Sequence, residues 1–407
     1  MNVSRPPELP FDLTDPGFIA DPYPGLNALR ETAPIVYDER LGRRFVTRHA
    51  DVRACLRDKR LGRNFRHLGT EEEFNAEPLD PRWADFWASE RWSLLWLEPP
   101  EHTHIRKLVA AAFTPRAVES MRGPAERLAR SLLESLGERF DLLYDYAQPY
   151  SITLICELLG VPTNRHRDLL DWSHAIVKMY EFDTTDAQAI EANDAAREFR
   201  AYVLDLIEER RAEPRDDMVS GLVEARVDGE RLSDDQIVST VVVLLNAGHE
   251  ATVNTVGNGF RALAAHPDEW RRLVSGEVPA AHAIEELIRW DPPLQLFERW
   301  VLADGVEVAG EPVARGERLA LLFGSANRDP RAFAEADRLD LSRANAAEHV
   351  GFGGGIHVCI GAPLARIELA ASFEALAQLR PTLHLVEEPE RVPAFVIRGF
   401  QSVHVAR

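Results

Sequence analysis

A cysteine near the end of the chain stands between a glycine-rich loop and a predicted helix. The sequence from Phe352 to Gly361 is FGGGIHVCIG, and its cysteine is Cys359. Glycines let the backbone approach a flat ligand and point N–H groups at the sulfur, and the start of the next helix adds partial positive charge. Both effects favour the thiolate, which is the form of cysteine that binds metals. A thiolate bound to iron pushes electron density onto that metal.

Three other interpretations of Cys359 remain open on these residues alone. It could be a buried cysteine after a tight turn, or a zinc ligand together with His357, although a zinc site needs further ligands at definite spacings. It could also be a nucleophile with His349 or His357 as its base, although the family signatures of thiol enzymes are absent. The complete glycine-rich string favours a haem ligand over all three.

The composition excludes several classes of function. The 407 residues carry a formal net charge of -19, which argues against binding nucleic acid, because phosphate contacts depend on clustered cations. A small molecule or an oppositely charged protein is a better match. The other cysteines, Cys55 and Cys156, lie among apolar helical neighbours and are predicted to fill the core. Three cysteines without a CxxC pair favour a reducing cytoplasm over a disulfide framework.

The N-terminal segment and the apolar runs show no signal for a membrane. The N-terminal segment is polar and rich in proline, without the apolar stretch of a signal peptide or an anchor. The longest apolar run, around Ile237–Leu245, is too short to span a bilayer. The sequence therefore predicts a soluble protein with no membrane partner.

The elements that must position Cys359 are mostly helices. Alternating residues over Ile35–Thr47 predict a hairpin at Leu41-Gly42, a short helix follows over His49–Asp58, and residues 61–100 lose any regular period. Helical periodicity dominates from Glu101 to about Ala265.

Breaks in that helical segment and the signals after it complete the prediction. Pro115, Gly160, Pro214 and Asp228-Gly229 interrupt the helices, and Ser233 begins the longest one with a sequence typical of a capping box. Further elements are predicted as follows: a helix over Ala281–Trp290, strands around Val301, Val306–Val308 and Leu319–Phe323, turns at Asp304-Gly305 and Arg315-Gly316, and a final helix from Ala362 to about Leu379. The fold class is mainly α with a small β portion, in a single domain over residues 1–407.

The string around Cys359 resembles the haem-binding loop of cytochromes P450, and it continues into APLAR as the proximal helix of that family does. The resemblance extends over nearly the whole chain and implies the cytochrome P450 fold. It also implies that Cys359 is the axial ligand of haem b (iron protoporphyrin IX) and that Phe352 packs beneath the porphyrin beside the sulfur. His357 occupies a position that contacts a haem propionate, and Gly361 closes the motif.

Other family motifs occur in the expected order. Glu286-Leu-Ile-Arg289 resembles the ExxR helix, whose pair shares one helical face and locks to a downstream arginine, here Arg343. His102 and Arg106, four residues apart, resemble the residues that meet the haem propionates, and Arg299 matches the other cation there. Buried carboxylates need such donors, because an unpaired buried charge is very costly.

The run Ala247-Gly-His-Glu-Ala-Thr252 resembles the oxygen-binding motif on the distal helix of the family, with one departure. In the family, Gly248 permits close approach, Glu250 belongs to a proton path, and a threonine occupies the position of Ala251. Thr252 is the next residue, but one step along a helix turns a side chain by about 100 degrees. The sequence therefore predicts that water or substrate assists proton delivery, with Glu250 as the acid and Thr252 secondary.

The resemblance implies a haem-thiolate monooxygenase that inserts one atom of O2 into a small hydrophobic substrate, typically by hydroxylation. Electrons are expected from a separate ferredoxin and its NAD(P)H-dependent reductase, steered by the cations Arg106, Lys107, Arg116 and Arg366. A peroxidase-like, isomerase or sensor role is the alternative, and the acid at Glu250 disfavours a peroxide-dependent enzyme.

Overall fold

A computed structural model describes residues 9–226 and 229–407 of the chain. It is 54% helical with a small sheet portion, which confirms the predicted fold class. The helices are α1 Pro16–Ala20, α2 Tyr23–Thr32, α3 His49–Arg57, α4 Ala84–Glu90, α5 Glu101–Ala112, α6 Pro115–Ser120, α7 Arg122–Ser135, α8 Gln148–Leu159, α9 His166–Val177, α10 Asp186–Ala212, α11 Met218–Glu224, α12 Asp234–Ala265, α13 Pro267–Val274, α14 Ala280–Trp290, α15 Phe323–Ala326 and α16 Ala362–Leu379. The strands are β1 Ile35–Asp38, β2 Arg43–Val46, β3 Leu61–Gly62, β4 Arg139–Asp141, β5 Leu296–Val301, β6 Val306–Val308, β7 Glu311–Val313, β8 Arg318–Leu322, β9 His384–Leu385 and β10 His404–Ala406.

The strands form three small sheets. The largest has the order β1-β2-β8-β5-β3, in which only β2 and β8 run parallel. Its central strand β8 has the sequence RLALL, of which the last four residues are buried, as expected for a strand covered on both faces. The other sheets have the orders β4-β10-β9 and β6-β7.

The described residues divide into two compact units, each made of separate stretches of chain. The first unit comprises residues up to 78, 257–359 and 388–401, and the second comprises residues 79–256, 360–387 and 402–407. The prediction of one domain over residues 1–407 stays a prediction.

The core of the first unit lies between α3 and one face of the five-stranded sheet. Val52, Cys55 and Leu56 of α3 belong to the same buried cluster as Leu319 and Leu321 of β8. Because strand side chains alternate between faces, these two leucines share one face of β8. The cluster gives the sheet a rigid backing next to α3.

The second unit is built from helices packed on helices. α16 packs against α7, and α10 packs against α4, α9 and α11. Two tyrosines bind α16 from the chain before and within α8: the Tyr146 hydroxyl donates to Ser372 Oγ at 3.0 Å, and the Tyr150 hydroxyl donates to the Glu368 carbonyl oxygen at 2.9 Å. Both tyrosines are fully buried, so the hydrogen bonds satisfy hydroxyls that would otherwise be costly to bury.

Most of the predicted elements are confirmed. The hairpin turns at Gly42, which has a φ of 61°, and α16 has the predicted bounds. At the start of α12, Ser233 and Gln236 exchange the two hydrogen bonds of a capping box, at 2.9 and 3.3 Å. α6 begins at Pro115 and α8 ends before Gly160. The predicted break at Asp228-Gly229 lies partly outside the described residues.

Several elements were missed, among them α2, α4 and β4, and one strand end was wrong. Residues 61–100, expected to be irregular, contain α4, whose Asp85 and Phe86 N–H groups donate to the Asn193 side chain of α10 at 3.0 and 3.1 Å. β4 lies inside the segment expected to be helical and pairs with β10, a partner distant in sequence. Phe323, predicted to end a strand, begins the short helix α15 instead.

Among residues 9–226 and 229–407, none of the helices combines the length and the apolarity that a membrane span requires.

Candidate functional site

The loop that carries Cys359 lies in the first unit, and its shape depends on two glycines. Gly353 and Gly355 have φ values of 69° and 65°, where residues with a side chain are strained. A Cβ on Gly355 would also overlap the carbonyl oxygen of Leu56 in α3. The Cys359 N–H donates to the Phe352 carbonyl oxygen at 2.9 Å and closes the loop. Only a chain with glycine at these positions can bring the loop this close to α3.

Cys359 differs from the other two cysteines in its exposure. Cys55 and Cys156 are buried, as predicted, whereas Cys359 is exposed. Burial raises the pKa of both buried thiols to about 12, so neither is a thiolate at neutral pH. The neighbours of Cys359, Ile356 and Val358, are apolar and about 40% exposed.

The segment before the loop is anchored through His349. The Gly351 N–H donates to His349 Nδ1 at 3.0 Å, and Nε2 of the same ring lies 3.2 Å from a Glu285 carboxylate oxygen. An Nδ1 that accepts leaves Nε2 as the nitrogen that donates to Glu285. Both nitrogens are therefore engaged, which removes His349 as a base for a nucleophilic Cys359. In the described part of the chain, neither His357 nor Cys359 belongs to a metal-binding cluster of three side chains, so the zinc interpretation has no support.

The ExxR pair forms the predicted triad with Arg343. Arg289 Nε and Nη2 donate to the two carboxylate oxygens of Glu286 at 2.6 and 2.8 Å, and Arg343 Nε approaches the same oxygens at 3.2 and 3.1 Å. Glu286 and Arg289 have no exposed surface. A buried carboxylate between two guanidinium groups satisfies the requirement that buried charges be paired.

The remaining donors of the triad hold the chain that leads to the cysteine loop. Arg289 Nη1 donates to the carbonyl oxygens of Asn327 and Ala336 at 2.8 and 2.9 Å. The Asn327 side chain in turn accepts from the Val350 N–H at 2.8 Å. Asn327 thus links the triad to Val350, which lies just before the loop of Cys359. This link explains why the ExxR helix precedes the cysteine loop in the chain.

Arg299 and His357 are the other site residues predicted in the first unit. Arg299 lies on β5 and is 1% exposed, with its guanidinium 5.0 Å from the centre of the Phe297 ring. It is close enough to Cys55 in α3 to oppose the effect of burial on that thiol. His357 is half-buried and ends a single 3-10 turn over Gly355–His357. Arg299 and the cysteine loop therefore both neighbour α3.

His102 and Arg106 lie on α5 in the second unit, four residues apart on one face. His102 is 1% exposed and Arg106 is half-buried. The helix begins here because the His102 N–H donates to the Glu98 carbonyl oxygen at 2.9 Å. Gly361, the last predicted contact, is the residue immediately before α16 in the same unit.

The predicted distal residues lie near the middle of α12, and their side chains point in different directions. Ala251 is exposed, whereas Thr252 is 4% exposed, which confirms that the two positions do not share a face. A Cβ on Gly248 would lie 3.2 Å from Ile155 Cδ1. Gly248 therefore lets α8 approach α12, a packing role that the sequence did not indicate.

Thr252 leads to a buried acid that sequence reasoning missed. Thr252 Oγ1 lies 2.9 Å from the Gly248 carbonyl oxygen and 3.3 Å from Glu368 Oε2. Burial raises the pKa of Glu368 to about 8, so its carboxyl group is protonated at neutral pH. It can donate to the threonine oxygen while the threonine hydroxyl donates to Gly248. The only sequence signal was an acid within the apolar run of α16, in LARIELA.

Glu250 meets two histidines that sequence reasoning also missed. His174 Nε2 of α9 lies 3.1 Å from Glu250 Oε1, and the rings of His174 and His249 are 5.8 Å apart. Burial raises the pKa of Glu250, and the nearby His174 offsets part of that rise. Burial lowers the pKa of His249 to about 3, so this ring is neutral. No local pattern could have indicated His174, because its helix is distant in sequence.

The family is decided by comparison with known proteins. The model of the family described as Cytochrome P450 matches residues 66–275 and 280–379. This chain belongs to the cytochrome P450 family. Curated relatives of this cytochrome P450 are named as hydroxylases and monooxygenases, and it is a P450 monooxygenase.

Two curated relatives match this cytochrome P450 over nearly its full length. It is 34% identical to the polyketide biosynthesis cytochrome P450 PksS of Bacillus subtilis (strain 168), over 96% of each chain. It is 36% identical to the 6-deoxyerythronolide B hydroxylase of Saccharopolyspora erythraea, over 97% of this chain and 98% of the relative.

Solved structures of other cytochromes P450 have the same fold. P450BioI, in complex with an acyl carrier protein ligated to hexadec-9Z-enoic acid, matches with a TM-score of 0.89 and 29% identity, over 96% of this chain and 99% of that chain. The structure of PksS matches with a TM-score of 0.86 and 32% identity, over 97% and 99%. The predicted cytochrome P450 fold is confirmed.

The residues of this cytochrome P450 fit the haem-thiolate cofactor that its family implies. The donor set includes an exposed thiol, Cys359, flanked by the exposed apolar side chains Ile356 and Val358, and a flat apolar macrocycle is the kind of ligand that such a surface suits. The glycines of the loop let its backbone pack closely on α3, because a Cβ on Gly354 or Gly355 would meet Leu56.

Proposed function

We propose that this cytochrome P450 hydroxylates a hydrophobic organic substrate with O2, using haem b bound through the thiolate of Cys359. The observation that carries the proposal is the exposed thiol in a loop whose glycines cannot be replaced without strain or overlap. When bound, the haem iron supplies oxygen activation and transfer, chemistry that no side chain provides.

The protein residues have separate roles in this proposal. Cys359 ligates the iron, Phe352 shields the sulfur, and Gly361 lets the chain enter α16 beside the ligand. His102, Arg106, Arg299 and His357 pair the haem propionates. Arg299 is suited to this role because a buried guanidinium retains its charge.

Proton delivery is assigned to two places on α12. Glu250 acts as the acid, supported by a pKa that burial raises towards neutrality. Thr252 acts as a secondary donor, supported by its contact with the protonated Glu368. Ala251 carries no hydroxyl, so water or a substrate hydroxyl completes the proton path. Gly248 has no side chain and permits close approach to the helix at this point.

The electron source and the substrate class are also part of the proposal. P450 monooxygenases use redox partners, and we assign a ferredoxin and its NAD(P)H-dependent reductase in the cytoplasm. The sparse set of three cysteines without a CxxC pair supports a reducing compartment. A hydrophobic substrate is supported by relatives named for 6-deoxyerythronolide B and vitamin D(3).

The ligand assignment is tested by the spectrum of the reduced carbon monoxide complex. Wild type should show the red-shifted Soret band that thiolate ligation produces, and Cys359→Ser should lose it. Cys156→Ser is the matched control, since that buried thiol is remote from the loop in sequence, and it should keep the band. A thiolate spectrum in Cys359→Ser would refute the assignment.

The reaction is tested with a ferredoxin, its reductase, NAD(P)H and ¹⁸O2. Substrates are first selected by the change from low to high spin that they cause. A product carrying one ¹⁸O atom, formed only with the complete electron chain, is expected. Product formation with peroxide alone would instead support the peroxidase-like alternative.

A further inference from the structure

Three potential metal ligands meet in the second unit. His174 of α9 and the adjacent His249 and Glu250 of α12 bring one ligand atom each to within 4.8 Å of one another. Adjacent helix residues point about 100° apart, so they cannot form such a group alone. His174, contributed by α9, approaches both of them and completes the cluster.

The polar atoms of this cluster are poorly satisfied by the protein. His249 has no exposed surface, and neither of its ring nitrogens has a hydrogen-bond partner among the described residues. Glu250 Oε1 also accepts no well-aligned hydrogen bond from them, although His174 Nε2 is 3.1 Å away. A buried polar group without a hydrogen-bond partner destabilises the folded state. A shared partner that accepts lone pairs from all three side chains would remove that cost.

We propose that His174, His249 and Glu250 form a binding site for a divalent transition metal ion of the zinc type. Two imidazoles and one carboxylate are a ligand set that zinc uses, with water in the fourth position. Imidazole selects zinc-like ions over magnesium and calcium, which prefer oxygen ligands. Ligands at about 2.0–2.1 Å from zinc lie about 3.4 Å from each other in a tetrahedron, so small side-chain rotations would close the cluster.

Access and charge both favour binding. The His174 side chain is 39% exposed and the Glu250 side chain 16% exposed, which provides a route for the ion from solvent to the buried His249. The net charge of -19 raises the local concentration of cations.

Metal binding would also affect the enzyme, and this consequence rests on the proposed function. A carboxylate that ligates zinc cannot serve as the proton donor, so zinc should inhibit product formation reversibly. Binding itself does not depend on that role.

The site is tested by equilibrium dialysis of the tag-free, haem-loaded protein against Zn²⁺, followed by metal analysis. Wild type should bind one zinc ion tightly per chain. His174→Ala and His249→Gln should weaken that binding by more than about tenfold, since even indirect support of a metal ligand is worth about 10–100-fold. The matched control is His166→Asn, on the same helix and outside the cluster, and it should bind as wild type. Unchanged binding in His174→Ala and His249→Gln would overturn the proposal.

A second measurement separates loss of the site from loss of folding. His174 is partly exposed, so His174→Ala should fold, and zinc should raise the melting temperature of wild type but not of this variant, because a ligand stabilises only the state that binds it. An equal rise in both would overturn the site. Zinc that binds through these ligands yet leaves NAD(P)H-driven product unchanged would support the site and contradict the proton role of Glu250.

Discussion

Single side chains in this cytochrome P450 owe their protonation states mainly to burial. Burial raises the pKa of Glu368 to about 8 and lowers the pKa of His249 to about 3. At neutral pH one group therefore retains a proton that an exposed carboxylate would have lost, and the other lacks a proton that an exposed histidine would partly carry. His249 lies on α12, and Glu368 contacts Thr252 of the same helix. Proton movement is proposed along this helix.

The raised pKa of Glu368 predicts how stability depends on pH. The unfolded chain loses this proton near the ordinary value of 4.5, whereas the folded chain keeps it up to about pH 8. Between these values the folded state binds the extra proton, so its contribution to stability is full below about pH 4.5 and falls as pH rises towards 8. Glu368→Gln, which mimics the protonated form, should therefore become more stable relative to wild type as pH increases across this window.

Urea unfolding at several pH values between 5 and 8.5 measures this effect. Glu374→Gln, an exposed position on the same helix, is the matched control and should show the pH dependence of wild type. A constant difference between Glu368→Gln and wild type over the whole range would mean that Glu368 is not protonated in the folded protein.

Gly355 provides a second prediction at the level of one residue. Gly355→Ala should destabilise the protein by more than the about 1–2 kcal/mol that a left-handed conformation costs an ordinary residue, because its Cβ also meets the Leu56 carbonyl oxygen. Gly305→Ala, with a φ of 71° and open space around its Cβ, should show the strain alone. Chemical denaturation compares the two, and an equal loss in both would show that the loop can shift away from α3.

Site residues could be predicted where their sequence signals are local. Cys359 and its glycines form one continuous string, and Glu286, Arg289 and Arg343 follow in a fixed order, so the sequence sufficed for them. His174, His249 and Glu368 acquire their properties from burial and from contacts between helices. Sequence periodicity describes one helix at a time, so it predicts neither the burial of these residues nor their contacts with other helices.

At the level of elements, the ExxR helix α14 acts as a brace for the chain that leads to the cysteine loop. Its arginine binds carbonyl oxygens of irregular chain after β8, and Asn327 passes the constraint on to Val350. Irregular backbone of this kind has no ladder of its own, so its polar groups depend on these side chains.

Breaking the triad should therefore destabilise more than a surface ion pair would. Glu286→Gln leaves two guanidinium groups without their carboxylate, and removal of one partner from a buried pair costs about 3–5 kcal/mol. The matched control is Glu335→Gln, whose partner Arg338 has the same spacing on the surface and should matter by less than about 1 kcal/mol. Thermal unfolding and haem content measure both variants, and similar losses in the two would contradict the bracing role.

Several helices were predictable because a start or stop signal lies in their own local sequence. Ser233 caps α12, Pro115 begins α6 and Gly160 follows α8. By contrast, α4 is capped by Asn193 from another helix, and β4 exists only because β10 pairs with it. Elements that depend on a remote partner carry a weak local signal, so the sequence underpredicted them.

For the molecule as a whole, the net charge is -19, yet four cations are predicted to steer an acidic ferredoxin. Lys107 at α5 and Arg116 at α6 are exposed, and Arg106 and Arg366 are half-buried. If these residues steer an acidic ferredoxin, the bimolecular rate of reduction should fall with ionic strength. Lys107→Glu should lower that rate several-fold at low salt and reduce its salt dependence.

Stopped-flow reduction by ferredoxin at several salt concentrations tests this expectation. Lys178→Glu, which reverses a cation that pairs with Glu191 instead, is the matched control and should retain the rate and salt dependence of wild type. A rate independent of salt in the wild type would rule out steering by these residues.

Because only one of the three cysteines is exposed, thiol alkylation can measure the fraction of chains that have bound haem. Two thiols are buried with a pKa near 12, so a mild alkylating reagent at neutral pH should modify only Cys359. Iron ligation would shield that sulfur, and the alkylated fraction in an intact-mass spectrum would then count the chains that lack haem. A preparation could thus be standardised by its chemistry before any substrate is known.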